Sequence, residues 1–351
     1  MSNTINPLGV SLDQILQTLP FGSQKGAYGN LLRGINHQMQ PIPVSNSHDS
    51  NGYVFMTRPQ LNLSLNNIRG DRRFIPLLTT SSDNVNRVIR LMLDPRLAYT
   101  DNSLASEQFD NTQAFFPILT NTISSCTGWP DSVVDTATTK PGLMKESSSW
   151  IDGIFEINNT FSLNCTFRNV INDPLMKLFS YWLLYGTKVF SGDMWPYLDM
   201  LMHNRIDYNT RIYRIILNKS KTKVTHISST GASFPETVPN GSLFDFNHEE
   251  PTSQNQKDIS VQFKCIGAIY NDPITVIEFN KVVGIFQPNM KTNNILQLMQ
   301  KVPYAALKYF NYKGYPRIDP NTMEFQWWVS KSEYARVIGN INETFSALAT
   351  I

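Results

Sequence analysis

Five histidines, three cysteines and 28 acidic residues are the groups in this chain that could ligate a metal or move a proton. Such chemistry needs them at set spacings. His37, His48, His203, His226 and His248 stand apart, with no His-Glu-x-x-His, His-x-His or Cys-x-x-Cys arrangement. Cys126, Cys165 and Cys265 are widely separated, which excludes paired zinc-ligand spacing and a disulfide framework. No Gly-x-Ser-x-Gly elbow and no phosphate-cradling Gly-Lys-Ser/Thr loop occurs. His248 beside Glu249 and Glu250 comes nearest to a general base with carboxylates, yet its Pro- and Asn-flanked setting reads as a solvated charge cluster. The sequence therefore assigns no catalytic residue, no cofactor and no metal ligand, and it reads as a building block rather than an enzyme.

Two further groupings invite a binding role. Trp327-Trp328, with Tyr304, Tyr309, Tyr312 and Tyr315, would suit a carbohydrate platform, or an interface anchor or small core. Arg69, Arg72 and Arg73 around Gly70-Asp71 read as a turn with surface charges or an interface salt bridge. The composition favours assembly. Of 351 residues, 41% are hydrophobic and only 17% charged, with a net charge of +2. A neutral polar surface repels its own copies weakly, and no basic field calls for sequence-specific binding to nucleic acid. The first residues, MSNTINPLGVSLDQILQ, lack the charged and apolar regions of a secretory signal, and the apolar run LFSYWLLYG is too short to span a bilayer. A protein of a reducing compartment, without a membrane anchor, is expected.

The elements fall into three zones, 1–150, 151–286 and 287–351. In the first, SLDQILQTL forms a helical stripe from an N-cap at Ser11, and GYVFMTRPQLNLSL is extended. A second helix places Val85, Val88, Ile89 and Met92 on one face, with Asp83 as cap, Arg87 and Arg90 on the other side, and Pro95 as stop. Residues 127–150 lack periodicity and read as a long loop of the functional or partner-ordered kind. In the second zone FSLNCTF alternates, with Phe161, Leu163, Cys165 and Phe167 on one face. Asp173-Pro174 then opens a helix that is apolar nearly all round, which buries in a large core or against another subunit. IDYNTRIYRIIL and DISVQFKCIGAIYNDP are strands, the latter with Ile259, Val261, Phe263, Cys265 and Ile269 inward and Ser260, Gln262, Lys264 and Tyr270 outward. Residues 218–258 between them read as one long connection, carrying Lys219, Lys221 and Lys223 against Glu249 and Glu250. The third zone holds a short helix from Thr292, the FQWWV run and a helix from about Ser332.

The order strand, Asp-Pro helix, IDYNTRIYRIIL, a Gly-Ala-x-Phe-Pro turn at Gly231–Pro235, and the alternating strand at Ile259–Tyr270 resembles the tube module of contractile-tailed bacteriophages. Tail tube proteins and baseplate tube-initiation proteins share that module. The resemblance is specific to the second zone. It implies an α+β fold, an antiparallel β-sandwich or half-barrel with a packed helix, flanked by helical and loop extensions. It also implies a virion structural protein of the tail, assembled in the host cytoplasm. The subunit would be a ring-forming tube or tube-to-baseplate adaptor, with hexameric closure and neighbours among other tube, sheath or baseplate proteins. DNA would pass without sequence-specific contact. Phe179, Trp182, Tyr213, Phe234, Phe244, Trp327 and Trp328 are the candidate interface residues, and the 218–258 connection would protrude as a hairpin toward the next ring. A host-surface glycan-binding protein using the aromatic third zone is the alternative reading.

Overall fold

A computed structural model describes residues 50–81, 84–100, 108–153, 157–244, 248–249, 258–310 and 313–339. The helix expected at 11–19, His37 and His48 lie outside them. Eleven strands are named in chain order: β1 (Ser50–Met56), β2 (Ile123–Thr127), β3 (Thr136–Thr138), β4 (Ser149–Ile151), β5 (Ile157–Arg168), β6 (Ile212–Leu217), β7 (Val224–Pro235), β8 (Asp258–Tyr270), β9 (Met299–Val302), β10 (Tyr315–Ile318) and β11 (Phe325–Ser330). The long helices are α1 (Val85–Leu93), α2 (Pro174–Phe190) and α3 (Pro273–Phe286). The frame is a six-stranded antiparallel sheet in the order β1–β6–β7–β8–β5–β2, curved into a half-barrel. The α+β half-barrel expected from the sequence is what forms.

Alternation positions the two longest partners. Leu163, Cys165 and Phe167 of β5 face Phe263, Val261 and Ile259 of β8, and all are buried. Over them lies α2, whose Phe179 and Trp182 meet Phe263 edge-on at 5.8 and 6.4 Å. With α1 and residues 61–77 they form the first core. The phase changes at Gly267, whose φ of +68° suits a glycine. Opposite it sits Gly231, between the pairs Thr230↔Ala268 and Ala232↔Ile266; a Cβ there would meet the Ile266 carbonyl oxygen at 2.8 Å. This is a bend in both strands. Beyond it Ala268 and Tyr270 take the side of the first core, where Tyr270 packs on Trp129, so the outward placing of Tyr270 is corrected.

The bend lets the other half of the sheet build a second core on its opposite face. Phe55, Tyr213, Ile215, Leu217, Val224 and Ile227 pack there against Val276, Phe279 and Val283 of α3, and the three-stranded sheet β10–β11–β9 completes it.

Three sequence expectations are overturned here. Residues 218–258 are not a single connection: 224–235 form β7, an interior strand of the sheet, after a turn at 218–223. Gly231–Pro235 is the end of that strand rather than a turn. The 127–150 loop contains the β3–β4 hairpin, with Thr136↔Ile151, Ala137↔Trp150 and Thr138↔Ser149 as partners.

Candidate assembly surfaces

The titratable groups that the fold gathers are structural clamps. Arg58, buried, donates from Nε to the Met92 carbonyl at 3.0 Å and from Nη2 to that of Leu91 at 2.5 Å, holding the end of α1. Its guanidinium lies between the Phe109 and Phe286 rings. Arg90 donates twice to the Leu63 carbonyl, at 3.0 and 2.8 Å, and Arg87 to that of Thr80 at 2.7 Å. Both arginines, on the side of α1 away from Val85, Val88, Ile89 and Met92, are therefore buried donors; the cap of α1 is Asn84, which accepts from the Asn86 N–H, while Asp83 lies outside the described residues. Asp94 accepts from the Leu63 N–H at 2.8 Å, the Tyr197 hydroxyl at 2.7 Å and the Arg96 N–H at 3.1 Å. Burial pushes its carboxyl up to about 6, against the pull of those donors and of Arg90. Nearby, Tyr185 donates to Asp207, whose carboxyl burial also raises. Asp71 is paired with Arg73 at 2.7 Å and with Lys188 at 3.3 Å, so the Arg-Gly-Asp turn is a surface salt-bridge site.

A groove of about 520 Å³ is lined by Gln60, Pro95, Arg96, Thr112, Phe286 and Gln287, among others. Arg96 is its one ionisable lining residue, and it is held by Asp199 at 2.6 and 2.7 Å. That lining presents no nucleophile beside a base. Among the described residues, no three His, Cys, Asp or Glu side chains gather as a metal site, and no helix is long and apolar enough to cross a membrane.

What the fold does present is surface for other chains. The sheet ends at β2 on one side and at β1 on the other, each with one paired strand among the described residues. Ala114–Phe116 covers only the far end of β1, through Arg58 N–H to the Ala114 carbonyl and Phe116 N–H to that of Met56, both at 3.0 Å. The face of β5 and β8 turned away from α2 is open and polar. It carries Ser162, Asn164, Thr166 and Arg168 opposite Lys264, Gln262, Ser260 and Asp258. From the rim of this sheet the β3–β4 hairpin projects, and it exposes Val133, Leu143, Met144, Trp150 and Ile151. Trp129 fixes its base, packed against Phe161 and Tyr270, while the Tyr270 hydroxyl donates to the Pro130 carbonyl at 2.6 Å.

The family described as "Putative phage tail tube protein" matches residues 3–344. The chain belongs to the phage tail tube family. As a member of it, the chain is a structural component of the phage tail, and the match takes in the zones on both sides of the module that carried the sequence resemblance. No match was found among curated proteins. Among solved structures, the anti-feeding prophage cap, a tube-terminating cap, is similar over 45% of this chain and 81% of that one, at 13% identity and a TM-score of 0.27.

In this tail tube family member the seven candidate interface residues go to different places. Phe179, Trp182 and Tyr213 are enclosed within the protomer and present no surface to a neighbour. Trp327 and Trp328 are half-buried in β11, where Trp327 packs with Tyr53, Phe55 and Phe325, so the pair is part of the second core's wall. Phe234 is half-buried against Tyr208. Phe244 stands 82% exposed. The hairpin's apolar residues and the exposed cluster Phe190, Trp195, Leu198 and Met202 escaped sequence reasoning. Their signal was local: Leu143-Met144 sits in a stretch otherwise made of turn formers, where no core face could claim it.

Proposed function

We propose that the chain is a non-catalytic, ring-forming subunit of the tail, either of the tube or of its junction with the baseplate. Copies join edge to edge, the β2 border of one protomer beside the β1 border of the next, and close into a hexamer. The observation that carries this reading is the pair of sheet borders, one at each end of a single sheet. Uncovered borders are sites of uncontrolled pairing, and ring closure removes them. A head-to-tail contact of this kind closes when its rotation divides the circle.

The open face of β5 and β8 would line the channel. Its residues are mostly neutral amides and hydroxyls, with Arg168 and Lys264 balanced in part by Asp258. Dense Lys or Arg would bind phosphates and hold DNA back; this face would not. The β3–β4 hairpin reaches the neighbouring copy or ring and covers its own apolar residues there.

Sedimentation and negative-stain electron microscopy of the purified full chain test the reading. Closed rings with a central channel, or stacks of them, are expected as concentration rises. A monomer that persists up to millimolar concentration would overturn it.

A further inference from the structure

The sheet brings two of the three cysteines, far apart in sequence, into contact. Cys126 of β2 and Cys165 of β5 are direct cross-strand partners, and their sulfurs are 3.6 Å apart. Cys265 of β8 lies on the same face, buried, with its thiol on the Phe263 carbonyl at 3.7 Å. Directly opposed residues of antiparallel strands have Cα atoms about 4.5–5.5 Å apart, within the range that a disulfide spans. Closing the sulfur gap needs side-chain rotation and a small approach of an edge strand that is paired on one side only.

The two thiols differ in character. Cys126 is half-buried and Cys165 fully buried. The hydrogen bond from Cys165 lowers the Cys126 thiol below its ordinary range, helped by the Trp129 indole N–H and by the positive charge of Arg214. That indole N–H is buried and makes no hydrogen bond of ordinary geometry. Cys265 differs again: burial pushes it up to about 11. A more acidic, more accessible thiol touching a buried one is the arrangement of an attacking and a resolving cysteine.

We propose that Cys126 and Cys165 form a reversible dithiol–disulfide site that a peroxide oxidises, fastening edge strand β2 to β5. The Cys126 thiolate attacks one oxygen of hydrogen peroxide, the O–O bond breaks, and after proton uptake water leaves with sulfenic acid on Cys126. Cys165 sulfur then attacks that sulfenic sulfur, the S–O bond breaks, and its oxygen departs as a second water with the Cys165 proton. Each sulfur loses one electron and the peroxide is reduced to two waters. This inference does not rest on ring formation.

The test treats the full chain with a slight molar excess of hydrogen peroxide, followed by thiol counting in denaturant and intact-mass measurement. The reactive thiols should fall from the three of the reduced chain to one. The mass should drop by about 2 Da, peptide mapping should link residues 126 and 165, and dithiothreitol should reverse all of it. Cys265→Ala should behave like wild type. Cys165→Ser should give a sulfenic acid at Cys126 that dimedone traps. Three surviving thiols, a link that includes Cys265, or linkage only between separate chains would overturn the proposal.

Discussion

Asp94 shows how single side chains hold this molecule together and where their energy goes. Its carboxyl is fully buried, and it fastens Leu63, Arg96 and Tyr197. In the unfolded chain it titrates near its ordinary value, about 4, whereas burial raises it to about 6 in the folded protein. The folded state thus holds the proton more tightly. The stability this contributes is complete below pH about 4 and disappears as pH rises through about 6, a change of ~3 kcal/mol. Asp207, raised in the same direction, adds to the trend. Asp94→Asn, which is neutral at every pH, should therefore flatten the fall in melting temperature between pH 4 and 7. Parallel slopes for variant and wild type would show that Asp94 does not titrate in that window. None of this was legible in the sequence. Arg87 and Arg90 fall on the polar side of α1 by periodicity, and only the return of residues 63 and 80 over that side buries them. Periodicity reports a helix face, not what long-range packing lays upon it.

At the scale of elements, legibility followed alternation. The inward row of β8 from Ile259 to Cys265 was readable because it alternates without interruption, and β5 likewise. β7 was not, because it is rich in Ser, Thr and Gly and changes phase at Gly231, so no single period runs through it. α3 was missed for another reason. It is apolar on nearly every side and gives little amphipathic signal, although its opening Asn271-Asp272-Pro273 repeats the Asn172-Asp173-Pro174 that announced α2. Both asparagines have positive φ, 72° and 50°, but the turns then part: Asp173 is also left-handed and makes no capping bond, whereas Asp272 is extended and caps α3 by accepting from the Ile274 N–H.

The register of β8 gives a paired prediction. Phe263→Asp places a lone carboxylate between Phe179 and Trp182 and should cost about 3–5 kcal/mol or more, a large share of a domain's stability. Ser260→Asp, on the exposed side of the same strand, should change stability by less than about 0.5 kcal/mol. Urea titration separates the two, and equal losses would contradict the facing assigned to the strand. Removal of residues 219–257 should likewise abolish folding, since it takes away β7 from between β6 and β8. A soluble deletion variant with a cooperative transition would refute that.

For the whole molecule, the question is where its uncovered apolar groups go. The hairpin of β3 and β4 has little protein beneath it: Leu143 is 100% exposed and Met144 86%. A two-stranded hairpin is marginal by itself, and solvent gives these side chains no reason to be apolar. Burial of a Leu or Met side chain against a partner is worth ~1.5–3 kcal/mol. If the neighbouring copy covers them, replacing both with serine should weaken each intersubunit contact by about 3 kcal/mol or more, roughly a hundredfold in the concentration needed to assemble. The protomer itself should be unaffected, because these residues touch neither core. Leu143→Ser/Met144→Ser protein should then melt with wild-type protein under dilute conditions yet remain monomeric where wild type forms rings or stacks. Assembly of the double variant at the wild-type concentration would assign the hairpin to contacts with some other tail protein, and leave the sheet borders alone to hold copies together.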